Sequence, residues 1–234
     1  MLSFKNVSAN QISYFFSKLS FYREKLTNRE MTFLDIIQNH FVRDTCFDEL
    51  LGIQTPLCFF KDSDKTLFGD GVDTIPTPYR IVTQMMNYLR PYQELSFMDV
   101  GCGHGRMLAA LLTMNFKQLI GVEPNQKAIK ILKNNLKVNV TRNQFTQVTL
   151  YEGDVLNQTL TQANIFYLYL PFYHETAKKF MEQLFNDYLK QRRPIILIMG
   201  GQITRDVKGY SEIFIKKTSI ENFDIYHSPE VNSK

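Results

Sequence analysis

Tryptophan is missing from the 234 residues, and cysteine is nearly so. Cys46, Cys58 and Cys102 are odd in number and far apart, with no C-x-x-C pair. Such a set argues against both a disulfide framework and a thiolate zinc centre, so no metal site is expected. No apolar run reaches the roughly 20 residues of a membrane span, and the polar first residues hold no apolar core of a secretory signal. A membrane is therefore not an expected partner. The expected location is cytoplasmic, where the sequons at Asn6, Asn139 and Asn157 stay unmodified. A strong charge of one sign is lacking too. The formal net charge is +4, about −1 over residues 1–95 and +5 over 96–234. That is sparse beside the basic footprint of most nucleic-acid binders, so nucleic acid is an unexpected partner. Internal repeats and low-complexity tracts are also absent. What is present is an ordinary globular composition, 44% apolar and 21% charged, with 19 Phe and 12 Tyr to furnish an aromatic core.

Residues 1–74 read as a helical N-terminal region with a short hairpin. Ile12, Phe15, Phe16, Leu19 and Tyr22 recur at spacings of three and four, as do Phe33, Ile36, Ile37 and Phe41. Leu57–Phe60 and Thr66–Phe68 flank the charged turn Lys61–Lys65, as hairpin strands do. A Gly- and Pro-punctuated stretch, G-D-G-V-D-T-I-P-T-P-Y-R at 69–80, leads into a helix predicted near Ile81–Leu89. Beyond Ser96 short apolar runs alternate with helical patterns. Strands are expected at Ser96–Val100, Gln118–Val122, Val148–Tyr151, Ile165–Leu170 and Pro194–Met199. Helices are expected through Met107–Met114, around Ile129–Leu136 and over His174–Gln191. Ser211–Ile220 and Phe223–His227 read as a closing antiparallel pair. The alternation implies an α/β fold over residues 75–234, a Rossmann-like doubly wound sheet of seven mostly parallel strands with an antiparallel last strand. Ligands of such sheets sit beyond the carboxyl ends of the strands, at the point where strand order reverses.

The densest signal lies at one of those ends. F-M-D-V-G-C-G-H-G-R at 97–106 places Gly101, Gly103 and Gly105 just after a strand, where bare backbone can turn sharply and approach a ligand. The helix that follows begins with free N–H groups suited to a carboxylate. Two further strand ends match it. Glu123 ends the second, where an acidic residue can meet ribose hydroxyls. Asp154, after Gly153, ends the third, where a carboxylate can accept from an exocyclic amine. A nicotinamide dinucleotide site is the rival, but its G-x-G-x-x-G would need a glycine at 106, which is arginine.

Residues 96–200 resemble the class I methyltransferases that use S-adenosylmethionine (SAM), whose first motif is an acidic residue followed by G-x-G-x-G. The resemblance implies SAM as cofactor. Asp99, Gly101, Cys102, Gly103 and Gly105 would hold its methionine end, and Glu123 its ribose, with Pro124 beside the adenine. Asp154 would accept from the adenine amine, Val155 would meet the ring edge, and Leu170 would border the methyl-transfer site. P-T-P-Y-R at 76–80 is similar to a segment that precedes the first motif in many small class I methyltransferases and can fold over the cofactor. Thr77 and Tyr79 are thus lid candidates, unless the prolines only stiffen a linker and Tyr79 packs.

The end of the fourth strand departs from the pattern of amino-directed nucleic-acid methyltransferases. Those carry Asp, Asn or Ser followed by Pro-Pro and an aromatic; here the run is Leu170-Pro171-Phe172-Tyr173. Leu170 offers no acceptor to a target amine. Tyr169, Phe172 and Tyr173 would form an aromatic wall suited to a lysine stem or a small aromatic compound. Tyr173 and His174 are the catalytic candidates, His174 because an imidazole titrates near neutral pH. His174 reads equally as a solvated residue before a helix, and Lys127, Lys130, Lys133 and Lys137 as a solvated helix face. The expected activity is methyl transfer to a protein side chain, a small molecule or RNA, in that order. A catalytically silent SAM-binding module is the second class.

Overall fold

The computed structural model describes residues 44, 47–48, 51–55, 75–140, 147–172, 174–201 and 210–232. The helices expected before Asp44 and the hairpin expected around Lys61–Lys65 lie outside them. Among residues 44–55, Asp44, Phe47, Asp48 and Leu51 are helical.

Helix α1 (Tyr79–Leu89) starts after Pro78, two residues earlier than its periodicity predicts. There follow β1 (Ser96–Val100), α2 (Arg106–Leu111), β2 (Gln118–Glu123), α3 (Gln126–Val140) and β3 (Gln147–Glu152). Then come β4 (Ile165–Tyr169), α4 (His174–Lys190), β5 (Ile196–Gly200), β6 (Ile215–Ile220) and β7 (Phe223–His227). The seven strands form one sheet in the order β3-β2-β1-β4-β5-β7-β6. β1 pairs in parallel with β2 and β4, and β7 pairs antiparallel with both β5 and β6, so β7 alone is reversed. The strand order reverses at β1, leaving a crevice between the carboxyl ends of β1 and β4. That is where ligands of this architecture bind.

The central strands are apolar throughout because both faces are covered. One face packs Phe97, Ile165 and Ile198 against Met85 and Leu89 of α1, Leu108 and Leu111 of α2, and Leu132 and Leu136 of α3. The opposite face packs Met98, Phe166 and Leu197 against Ala177, Phe180, Met181, Leu184 and Tyr188. The latter set recurs every three or four residues, the spacing that places one stripe of α4 on the sheet.

β5 also begins two residues later than expected, and three further boundaries depart from expectation. α2 is shorter than predicted, ending at Leu111 with turns through 112–115. β6 begins at Ile215 rather than Ser211, since residues 211–213 form a turn. It is an edge strand carrying exposed Lys216 and Lys217, charges that discourage pairing with another chain. β4 ends at Tyr169, because Leu170 adopts a φ of 52°, outside the strand region.

Candidate cofactor site

The glycine loop hangs from β2. The backbone N–H groups of Gly101 and Cys102 both donate to the Val122 carbonyl, at 2.9 and 3.0 Å. Gly101, Gly103 and Gly105 have φ of 71°, 52° and 81°, left-handed values that cost a side chain about 1–2 kcal/mol. Two of the three are also required by close approach. A Cβ on Gly101 would lie 2.5 Å from Pro171 Cβ, and one on Gly105 2.0 Å from Leu132 Cδ1. Gly105 therefore lets α3 close on the start of α2. Gly101 brings the loop against the segment leaving β4, so the two flanks of the crevice touch.

Two carboxylates are buried at the base of the loop. Glu123, 5% exposed, accepts from the Gly103 N–H at 2.8 Å and the Asn125 N–H at 2.9 Å, one bond to each oxygen. Burial raises its pKa and those two bonds oppose the rise. Asp99, 4% exposed, receives no hydrogen bond from any described residue. Burial, then the charge of Glu123, pushes it up to about 8. The Cys102 thiol beside them is pushed up by burial and by both carboxylates, so it is a poor nucleophile.

That shift carries a sign. The folded protein keeps a proton on Asp99 that an ordinary carboxyl loses near pH 3.8. A raised carboxyl pKa means that stability falls as pH rises from about 4 to about 8. In thermal melts of the protein alone, wild type should lose more Tm between pH 5 and pH 8 than Asp99→Asn does. Parallel curves would show that Asp99 is not a buried, protonated acid.

At the third strand end, Asp154 is exposed and accepts from the Leu156 N–H at 2.9 Å, capping the turn Val155–Asn157. Val155 is buried and Pro124 exposed. Gly153 has a φ of 136°, and its N–H donates to the Glu123 carbonyl at 3.0 Å, tying this end to the second. On the acceptor side, Tyr173 and the side chain of His174 lie outside the described residues; His174 is the first residue of α4. The expected aromatic wall needs correction. Phe172 is 6% exposed and packs on Phe180 of α4 with ring centroids 5.8 Å apart, so it belongs to the core. Tyr169 is partly buried and rests on Phe223. Leu170 turns back onto Gly201, where a Cβ would meet Leu170 Cδ2 at 2.3 Å.

Thr77 and Tyr79 are both interior. The Thr77 hydroxyl is 2.7 Å from the Tyr167 hydroxyl, and the Tyr79 hydroxyl donates to Asp48 Oδ1 at 2.7 Å. Tyr79 is packed in this arrangement, 6% exposed. Beside Tyr79 lies a cluster that motif reading missed: Arg106, paired with Asp44 and Asp48 at 2.9 Å each. Two signals for it stood in the sequence. A cation at a helix start opposes the helix dipole, and two aspartates four apart at helical spacing repel, so each asks for a distant partner.

A twisted sheet with one reversed strand, a glycine loop after β1 and buried acids at the ends of β1 and β2 define the class I, SAM-dependent methyltransferase fold. The chain belongs to the family described as "Conserved hypothetical protein 95", whose model matches residues 64–227. It is similar to a protein-lysine N-methyltransferase of Saccharolobus islandicus (strain REY15A), 29% identical over 97 residues. That match spans 38% of this chain and 60% of the relative. Among solved structures, a proposed RNA methyltransferase from Pyrococcus horikoshii superposes with a TM-score of 0.51 at 17% identity, covering 76% of this chain and 94% of the other. A methyltransferase from Geobacter sulfurreducens gives 0.52 at 13% identity, covering 66% and 82%. At such identities the two structures establish the shared fold. Among the described residues there is no helix long and apolar enough to cross a membrane, and no group of side chains that could hold a metal ion.

Proposed function

We propose that the chain is a SAM-dependent methyltransferase that binds its cofactor across the ends of β1, β2 and β3. One observation carries the reading: a buried acidic pair at the glycine loop, one member of which has no described donor. A ligand bearing an ammonium group and a ribose diol supplies what that pair lacks. Cation or hydroxyl donors would stabilise the ionised Asp99, and each Glu123 oxygen, bonded once, keeps a lone pair for a ribose hydroxyl. SAM has both groups; bound, it supplies a sulfonium methyl open to in-line displacement by a nucleophile.

The chain's own part is orientation and exclusion of water. Asp99 and the backbone of residues 101–105 would fix the methionine end. Glu123 would fix the ribose, with Pro124, Asp154 and Val155 along the adenine. Leu170 and Pro171 would border the transferred group from the β4 side. Tyr173 and His174, at the start of α4, remain the candidates for acceptor contact and proton removal.

For the acceptor we favour an amine on a protein, with a small molecule next. Leu170 supplies no hydrogen-bond acceptor to a nucleobase amine, and an unpaired buried N–H costs about 1–3 kcal/mol. The similarity to a lysine methyltransferase leans the same way. The expectation against nucleic acid draws no support from the structural relatives, one of which is described as acting on RNA. Transfer of labelled methyl from SAM into a cell lysate separates the acceptors. The expected label is sensitive to protease and resistant to nuclease; macromolecular label with the opposite sensitivities would assign the enzyme to nucleic acid.

A further inference from the structure

Arg106 is the first residue of α2, one position beyond the last glycine of the loop, and its guanidinium is 4% exposed. Nη1 donates to Asp44 Oδ2 at 2.9 Å and to the Thr77 carbonyl at 3.0 Å, and Nη2 donates to Asp48 Oδ2 at 2.9 Å. Nε is shared between Asp48 Oδ1 at 3.1 Å and the Thr55 hydroxyl at 2.8 Å. The Tyr79 ring covers one face, its centroid 4.7 Å from Cζ. The aspartates are tied down in turn. The Tyr79 backbone N–H donates to Asp44 at 3.1 Å, and the Thr55 N–H donates to Asp48 at 3.2 Å, as does the Thr55 hydroxyl over a short bond. Two stretches far from Arg106 in sequence, around residues 44–55 and 77–79, thus meet on its one cation.

A second tie lies on the other side of the loop. Asn135 of α3, 4% exposed, exchanges two hydrogen bonds with the backbone of Gln54, at 2.9 and 2.8 Å. Its amide also donates to the His104 carbonyl at 2.8 Å. Gln54 is therefore linked to the His104 carbonyl through Asn135, and Thr55 bonds Arg106 directly at the start of α2. Gly101, Cys102 and Gly103 donate to Val122 and Glu123 of β2, and the Gly105 N–H donates to the Cys102 carbonyl within the loop.

Net stability accounts poorly for such a cluster. Well-packed apolar residues in place of a buried ion triad are often as stable or more so, because desolvating the charges offsets their attraction. What a fork of five donors fixes is geometry. We propose that Asp44 and Asp48 are positioning residues for the cofactor site, acting through Arg106 to hold the glycine loop in its binding shape. Docking of residues 44–55 and binding of SAM then favour each other, since coupling between two equilibria is reciprocal. This inference rests on the SAM reading above.

The test uses the 234-residue chain and three variants: Asp48→Asn, Asp44→Asn, and the apolar triple Asp44→Leu/Asp48→Leu/Arg106→Met. Melting curves and SAM affinity are measured for each. The triple should fold with a Tm near wild type yet bind SAM about 10-fold more weakly, within the usual range of coupling between sites. If it does not fold, Asp44→Asn, which leaves Asp48 on the guanidinium, should still weaken SAM several-fold with little change in Tm. Hydrogen exchange supplies a readout that packing alone would not move. SAM should slow amide exchange at residues 51–55 in wild type and slow it less in Asp48→Asn. Wild-type affinity in the folded triple, or in Asp44→Asn if the triple is unfolded, overturns the proposal, as does exchange at 51–55 indifferent to SAM. A wild-type protein that binds no SAM would instead overturn the cofactor assignment itself.

Discussion

Glu123→Ala should weaken SAM binding by about 1.5–3 kcal/mol, roughly 10- to 100-fold, as expected for loss of hydrogen bonds to a charged group. The effect has two sources in the structure. The carboxylate would meet the ribose directly, and it also holds the loop, through the Gly103 N–H at 2.8 Å. Removing it withdraws a ligand contact and leaves a backbone donor near the base of the loop without its acceptor. Glu123→Gln tells the sources apart. Its amide keeps one oxygen, so it can satisfy either Gly103 or Asn125 but not both, and its NH2 would face a backbone N–H. Gln should therefore recover only part of the lost affinity. Titration calorimetry of the three proteins checks this, and an alanine variant with wild-type affinity would remove Glu123 from the site.

The second large effect is expected at Gly101. Valine there must adopt a φ of 71°, a genuine outlier for a β-branched residue, while its Cβ is directed at Pro171 only 2.5 Å away. Relief requires Pro171 to move, and with it the crossing from β4 to α4 that would border the methyl-transfer site. Gly101→Val should abolish measurable SAM binding while circular dichroism still reports an α/β domain, because the clash falls on Pro171, outside both core layers. Gly105→Ala provides the contrast. Its Cβ meets Leu132 of α3 at 2.0 Å, so its first effect should be a lower Tm. Retained SAM binding by Gly101→Val would mean that the loop can deform without cost to the ligand site.

Local pattern made most of the fold legible. The central strands are apolar because both faces are covered, and the expected strand ends fall within one residue of those observed: Val100 as expected, Glu123 for an expected Val122, and Glu152 for an expected Tyr151. The failures share a cause. Phe172 reads as an aromatic beside the site because it follows a strand end and precedes Tyr173 and His174; only the approach of Phe180 on α4 shows that it is core. Leu170 extends an apolar run, and nothing in that run reveals the φ of 52° that ends the strand. Arg106 lies 62 and 58 residues from Asp44 and Asp48, a separation that no periodic window spans. What could be seen was each group's local misfit, a cation at a helix start and two like charges one turn apart.

Cofactor identity is tested most directly by calorimetric titration of the 234-residue chain with SAM, S-adenosylhomocysteine and NAD. The buried, donor-poor Asp99 beside a ribose-ready Glu123 predicts one site that binds SAM and S-adenosylhomocysteine and gives no heat with NAD. Binding of NAD with no response to SAM would contradict the account at its root.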